Sequence, residues 1–295
     1  GSSYYKRLLP LPKIRYNQRI STINLFFCFN CLNAQVEILE NRMSNKIFAI
    51  DVGNTHCKIA AVNNKKILRV FTLRTEANRA IDEYYFYFKS ICLEMGWEDI
   101  GQIWISSVVP SVSIALKRLG EQYDIEINTI NKEQPFVFSI HPKIINDIGE
   151  DILVLAQAAV KLKGKNVIFV SAGTATIIFA VKDGVLLGGS ISPGIKGSVE
   201  SLVQNAALIN PSFLDIPKQP IGQNTEESLQ SGVIFGFSGL VDGLISRMKH
   251  ELDMPGIPVI ATGGLIGKIA KISNNIDEVH PDLAIQGIID LWNSI

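Results

Sequence analysis

Two short polar turns carry the residues best suited to phosphate chemistry. Asp51-Val52-Gly53-Asn54-Thr55 closes an apolar, β-rich run. Gly53 has no side chain, so backbone N–H groups in this turn can approach an anion closely. Asp51, at the strand end, could hold Mg²⁺ directly or through water, and Lys58 could reach a phosphate. The same residues also fit a capped turn in which Asp51 accepts nearby backbone hydrogen bonds. Ser171-Ala172-Gly173-Thr174-Ala175-Thr176 repeats the pattern, with Gly173, Thr174 and Thr176 on a second turn. Thr262-Gly263-Gly264 follows a third apolar run. It reads either as a plain β–α turn or as the start of a helix whose N–H groups meet a nucleotide. The G-x-x-x-x-G-K-[ST] pattern does not occur, so this is not a P-loop.

Gly149-Glu150-Asp151 opens an alanine-rich stretch. Asp151 either complements a helix dipole or takes the proton from a substrate hydroxyl. Gly188-Gly189-Ser190-Ile191-Ser192-Pro193-Gly194 is rich in breakers and reads as a loop that wraps a ligand or shapes a subunit interface. The four histidines, at 56, 141, 250 and 280, have neither metal nor triad spacing. Cys28 and Cys31 form a C-x-x-C pair, but Cys57 and Cys92 stand at no useful distance from it, so chance explains the pair. Four scattered cysteines fit a reducing compartment.

These residues need elements to hold them. Ile47–Leu68 and Val167–Leu187 each read as an apolar strand, a Gly turn, a second strand and a tight turn. Asp51 to Ser171 and Gly53 to Gly173 are both separated by 120 residues, as are Asn63 and Asp183 in the turns that follow. Two hairpins in one register indicate a duplicated unit of domain size. Helices are expected at 78–95, Val112–Leu119, Ile148–Leu162, Glu226–Glu251 and Asp282–Ser294. Strands are expected at Gln102–Ser107 and Pro258–Ala261. The aromatic stripe within 78–95 reads as core packing. The long 226–251 stretch is interrupted by Gly232, Gly236, Gly239 and Gly243. Strands alternating with helices indicate an α/β fold. The expected organisation is an extension over 1–45, one domain over 46–163 and a second over 164–295.

The chain has 295 residues, of which 47% are hydrophobic and 19% charged, so it can bury a large core and is not disordered. Lys+Arg and Asp+Glu are 28 each, which argues against a broad nucleic-acid surface. Residues 1–42 differ from the rest, with six basic and two acidic residues. The Gly1-Ser2-Ser3 start reads as the remnant of a cleaved tag, and the working protein as beginning near Met43. No apolar run reaches the roughly 18 residues needed to cross a bilayer. A cytoplasmic protein with no membrane and no nucleic-acid partner is expected.

Several motifs, taken in order, resemble those of the type III pantothenate kinases. They are Asp51-Val52-Gly53-Asn54-Thr55, Ser106-Ser107-Val108-Val109-Pro110, Gly173-Thr174-Ala175-Thr176 and Gly188-Gly189-x-Ile191-x-Pro193-Gly194. Further on come Ile221-Gly222-x-Asn224-Thr225-x-Glu227-Ser228, Gln230-Ser231-Gly232 and Ala261-Thr262-Gly263-Gly264. The resemblance covers Lys46 to the C-terminus. It implies an actin-like ATPase fold, two duplicated ribonuclease-H-like domains with ATP between them. The implied activity is ATP-dependent phosphorylation of pantothenate to 4'-phosphopantothenate, the first step of coenzyme A synthesis.

By that resemblance Asp51, Gly53, Asn54, Thr55 and Lys58 line the phosphate site, with Mg²⁺ on Asp51. Gly173, Thr174 and Thr176 face the phosphates from the other half, and Gly263 and Gly264 lie near adenosine. Asp151 is the implied base. Gly149 and Thr225 are implied to meet pantothenate, Thr225 across a homodimer interface. A monovalent cation, K⁺ or NH₄⁺, is also implied. The sequence departs from the pattern at three places. The family's G-x-D-R ends here in Ile152, and its D-x-G-T begins here with Ser171, which removes the carboxylate associated with the monovalent cation. Phe138-Ser139-Ile140-His141-Pro142 replaces its Tyr and Asn-Pro segment. These departures motivate two alternatives: a catalytically impaired nucleotide-binding accessory protein of the transcription-regulator kind, or a kinase of another small alcohol.

Overall fold

The computed structural model describes residues 45–204 and 215–294. The Cys28/Cys31 pair, the basic N-terminal stretch and the tag-like start lie outside the described residues. The first strand, β1 (Lys46–Val52), buries Ile47, Phe48, Ala49, Ile50 and Val52. A continuous apolar run of this kind marks a strand covered on both faces. β1 pairs antiparallel with β2 (His56–Asn63) and parallel with β4 (Gln102–Ser107). With β3 (Lys66–Arg74) and β5 (Ile127–Thr129) they form a sheet in the order β3-β2-β1-β4-β5. The second sheet contains β6 (Ser139–Ile140), β7 (Val167–Ala172), β8 (Ala175–Lys182), β9 (Val185–Pro193), β10 (Val259–Thr262) and β11 (Glu278–Val279). Its order is β11-β10-β7-β8-β9-β6. The arrangement β3-β2-β1-β4 therefore recurs as β9-β8-β7-β10, and both hairpins carry a register shift, at Ala61/Val62 and Ala180/Val181.

The duplication is one residue looser than the sequence suggests. Asn64 and Lys65 have φ of 48° and 65°, and Asp183 and Gly184 have 53° and 76°. Positive φ at both central residues defines a type I′ turn. The first turn is thus centred on Asn64-Lys65, not Asn63-Asn64, because Asn63 still pairs with Lys66. The 120-residue spacing drops by one because the Gly53 turn is one residue longer than the Gly173 turn.

The breaker-rich segment from Gly188 is not a loop but most of β9. A Cβ on Gly189 would stand 2.0 Å from the Ile178 carbonyl oxygen, and Gly188 has φ +130°. The glycines mark a close backbone approach inside the sheet.

Helices α1 (Ile81–Met95) and α2 (Pro110–Tyr123) cover one face of the first sheet. Tyr84, Phe88, Ile91, Val112, Leu116 and Leu119 pack there on Phe48, Ile50 and Val52. The aromatic stripe is core, as Phe48 and Phe88 have ring centroids 5.1 Å apart. Leu93 falls off the stripe and is exposed.

The opposite face, with Ile47, Ala49, Ala60, Val62 and Trp104, meets the last helix, α7 (Leu283–Trp292). It also receives Val154 of α3 (Glu150–Lys163). On its other side α3 packs Leu155, Ala156 and Ala159 with Val167, Phe169 and Val181 of the second sheet. A Cβ on Gly287 would lie 1.9 Å from the Val154 carbonyl oxygen, so α3 and α7 cross with their backbones touching.

The outer face of the second sheet is covered by α4 (Ile195–Gln204), α5 (Thr225–Glu251) and α6 (Ile266–Ala270). α5 runs unbroken through its four glycines. Asn224 caps it by accepting from the Glu227 N–H at 2.9 Å, while Glu227 accepts from the Gln223 N–H at 2.8 Å. The pair resembles a capping box, except that the Glu227 carboxylate takes the N–H of Gln223, one residue before the Asn224 cap. α5 contains an 18-residue window apolar enough to cross a membrane by length and composition, although Asp242 interrupts its apolar run. In the fold, Val233, Ile234, Val241 and Ile245 are buried in the second core.

Candidate active site

Strand alternation places Asp51 on the same face of β1 as Ile47 and Ala49, the face that meets α3 and α7. Register adds two neighbours. Asp51 lies opposite Lys58 on β2 and opposite Ser106 on β4. A polar row, Lys58–Asp51–Ser106, thus ends the apolar floor of Val62, Ala60, Ala49, Ile47 and Trp104. It forms at the carboxyl end of the parallel pair β1/β4, where ligands bind in open α/β sheets.

Asp151 belongs to the first turn of α3, after Gly149 at the N-cap. Its carboxylate accepts from the Ile152 N–H at 2.9 Å. A Cβ on Gly149 would come within 2.6 Å of the Asp151 Oδ1, so the glycine leaves room for this carboxylate. Burial pushes the Asp51 carboxyl up to about 6; the charge of Asp151 adds to the rise and Lys58 opposes it. Burial also raises Asp151, against the hydrogen bond from Ile152. Two carboxylates from different elements therefore share one poorly solvated place.

The two glycine turns meet each other. The Gly53 N–H donates to His56 O at 3.0 Å, and Thr75 fixes the turn from outside. Its hydroxyl donates to Gly53 O at 2.7 Å and its N–H to Thr55 O at 2.9 Å. In the second turn the Gly173 N–H donates to Ala175 O at 2.9 Å, and the Gly194 N–H donates to Thr174 O at 3.1 Å. The hydroxyls of Thr55 and Thr174 are hydrogen-bonded to each other at 2.9 Å, which joins the two copies of the motif. Gly263, at φ +115°, presses on the second turn, since a Cβ there would be 2.2 Å from Ala172 O. Gly264 has open space where a side chain would be.

Other expected residues are placed differently. Lys58 donates to Pro281 O at 2.9 Å and pairs with Asp282 at 3.3 Å, so its ammonium is engaged at the N-terminus of α7. Thr176 is buried, and its hydroxyl has no hydrogen-bond partner among the described residues. Asn54 is exposed at the turn. Thr225 is the exposed first residue of α5, and no described hydrogen bond joins it to the carboxylate pair. Ile152 is buried in the cluster of Phe138, Ile148, Phe179 and Leu186. Ser171 lies opposite Thr262 and Ile177. Sequence reasoning missed Thr75, Ser106 as an individual residue, Pro281 and Asp282. Ser106 carries a faint signal, a hydroxyl ending an apolar run. Thr75 and Asp282 carry none, because only folding brings them near the turns.

A family model described as type III pantothenate kinase matches residues 47–247. The chain belongs to the type III pantothenate kinase family. A family relative from Streptomyces griseus is 36% identical over 255 residues, covering 82% of this chain and 96% of the relative. One from Bacillus cytotoxicus is 34% identical over 251 residues, covering 83% and 95%. Among solved structures, a conserved putative Baf family transcriptional activator from Campylobacter jejuni aligns with a TM-score of 0.54 at 20% identity, over 84% of this chain and 98% of that one. A ROK family glucokinase from Streptomyces griseus, solved with glucose and AMPPNP, aligns with a TM-score of 0.50 at 11% identity, over 85% and 100%. At these identities the structural likeness is one of fold: the pantothenate kinase family chain has the actin-like ATPase architecture of two ribonuclease-H-like halves.

Proposed function

We propose that this protein transfers the γ-phosphoryl group of ATP to pantothenate, forming 4'-phosphopantothenate and opening coenzyme A synthesis. The observation that carries the reading is the carboxylate pair. Asp51 feels the charge of Asp151, and the Gly/Thr turn that follows Asp51 touches its duplicate through Thr55 and Thr174. Phosphoryl transfer depends mainly on positioning and charge stabilisation, which this arrangement offers. Asp151 takes or orients the proton of the attacking hydroxyl. Gly149 leaves room beside it for that substrate.

Gly53, Asn54 and Thr55 face the phosphates from one side, and Gly173 and Thr174 from the other. Thr176, whose buried hydroxyl has no partner among the described residues, joins Gly173 and Thr174 on that side. Gly263 and Gly264 lie toward adenosine. Lys58 reaches a phosphate only by leaving Pro281 O and Asp282.

Mg²⁺ fits the donor set. No group of three or more His, Cys, Asp or Glu among the described residues is placed to hold a metal ion. A magnesium ion shared with substrate phosphates needs only one or two carboxylates. Asp51 would hold it, and it would neutralise phosphate charge when bound. Thr225 meets pantothenate in a cytoplasmic homodimer. K⁺ or NH₄⁺ assists less than the resemblance implies, since Ser171 offers a hydroxyl where a carboxylate would attract the cation.

A second reading has its own observation. Ile152 sits in an apolar cluster where the family motif has arginine, which favours a small alcohol other than pantothenate, or a nucleotide-binding accessory role. The test is ATP-dependent phosphorylation of pantothenate with Mg²⁺, with and without K⁺ or NH₄⁺. Turnover that disappears in Asp151→Asn supports the kinase reading. ATP binding without turnover of pantothenate supports the second.

A further inference from the structure

Ser106 is fully buried, and its hydroxyl has no hydrogen-bond partner among the described residues. Buried hydroxyls of this kind are few in native proteins, and each calls for a reason. The fold supplies one. Ser106 shares a face of β4 with Trp104, which packs in the same cluster as Ala49, and its register partner on β1 is Asp51. The duplication provides an internal control. In the second sheet the equivalent pair is Thr262 opposite Ser171. There the hydroxyl is satisfied, with Thr262 donating to Pro281 O at 3.2 Å. Of two equivalent hydroxyls, one is bonded to the protein and the other is left beside a carboxylate.

We infer that Ser106 is a positioning residue for Asp51. By rotating about χ1 its hydroxyl donates to one carboxylate oxygen and fixes the rotamer that turns the other oxygen into the cleft. The inference rests on the reading of Asp51 as the carboxylate on the Mg²⁺ and phosphate side. The other member of the registered row, Lys58, gives its ammonium to Pro281 O and Asp282.

The test uses Ser106→Ala, which removes the hydroxyl, and Ser106→Cys, which keeps the shape with a somewhat larger atom but donates weakly. ATP binding is measured by calorimetry with Mg²⁺ and with EDTA, and thermal unfolding without ligand. Both variants are expected to bind ATP roughly tenfold or more weakly with Mg²⁺, the lower end for a hydrogen bond to a charged group. Binding in EDTA stays within about twofold of wild type, and the unfolding temperature is unchanged or raised. Equal Mg²⁺-dependent binding in the variants and wild type overturns the inference. So does weakening that is the same in EDTA and accompanies a lower unfolding temperature, since that reports general damage. Wild-type protein that holds no ATP with Mg²⁺ overturns the reading of Asp51, and this inference with it.

Discussion

At the scale of single residues, the two acids behave as a pair because neither is well hydrated. Asp51 lies at a strand end and Asp151 at a helix start; burial favours the protonated form of both, helped at Asp51 by the charge of Asp151 and at Asp151 by that of Glu150. Removing a general base lowers rates by about 10²–10⁴. On the proposed function, in which Asp151 is the base, Asp151→Asn is expected to lose turnover in that range while ATP affinity, read by calorimetry, stays near wild type. Asp51 also makes stability depend on pH. Its native carboxyl titrates near 6, above the ordinary value of 3.8, so the native state holds this proton more tightly than the unfolded chain. Stability from this group is present at low pH and lost as pH rises through about 6. Asp51→Asn, which cannot ionise, should melt higher than wild type at about pH 8, and the gap should close between about pH 6 and pH 4. A gap that is constant across that range would show that burial does not disfavour the charge.

At the scale of elements, what was legible follows from which signal each strand carries. β1, β7 and β10 are buried on both faces, so their apolar runs stand out. The Asp183-Gly184 turn is equally plain because its chemistry demands those residues. β3 is not plain: Lys66, Leu68, Arg69 and several of its neighbours face solvent. β9 is hidden by glycines that suit a close strand approach but read as loop. Of the row Lys58–Asp51–Ser106 only the Asp51–Lys58 part was legible, because interstrand register, not periodicity, brings Ser106 to Asp51 across 55 positions of chain. Two substitutions test the element contacts. Gly287→Ala puts a methyl against the Val154 carbonyl where α7 crosses α3. It should destabilise by about 1–3 kcal/mol or more in denaturant unfolding. Asn224→Ala removes the α5 cap and should cost about 1 kcal/mol in the same assay.

At the scale of the molecule, the halves are joined by bonds that use the cleft's own groups. Thr55 meets Thr174, and Lys58 meets Pro281 and Asp282. On the proposed function, ATP bound at the two turns would contact residues of both halves. At 100 times its dissociation constant, ATP with Mg²⁺ stabilises a protein by about 2.7 kcal/mol. For a body of this size that corresponds to a rise of roughly 5–10 °C in unfolding temperature. A single transition that moves as one would show that both halves feel the ligand. Two transitions, only one of which moves, would show that they do not.

The position of α7 bears on how the protein is made. Its Ile285, Ile288 and Ile289 complete the core above β1, a strand laid down near the start of the described chain. On the ribosome, β1 to β5 emerge long before residues 283–292 exist. During that interval the first sheet keeps one greasy face without its cover, and loop closure over more than two hundred residues must precede the final docking. The first half is thus the first synthesised and the last finished, and nascent chains stalled before Leu283 are the ones that should need a chaperone.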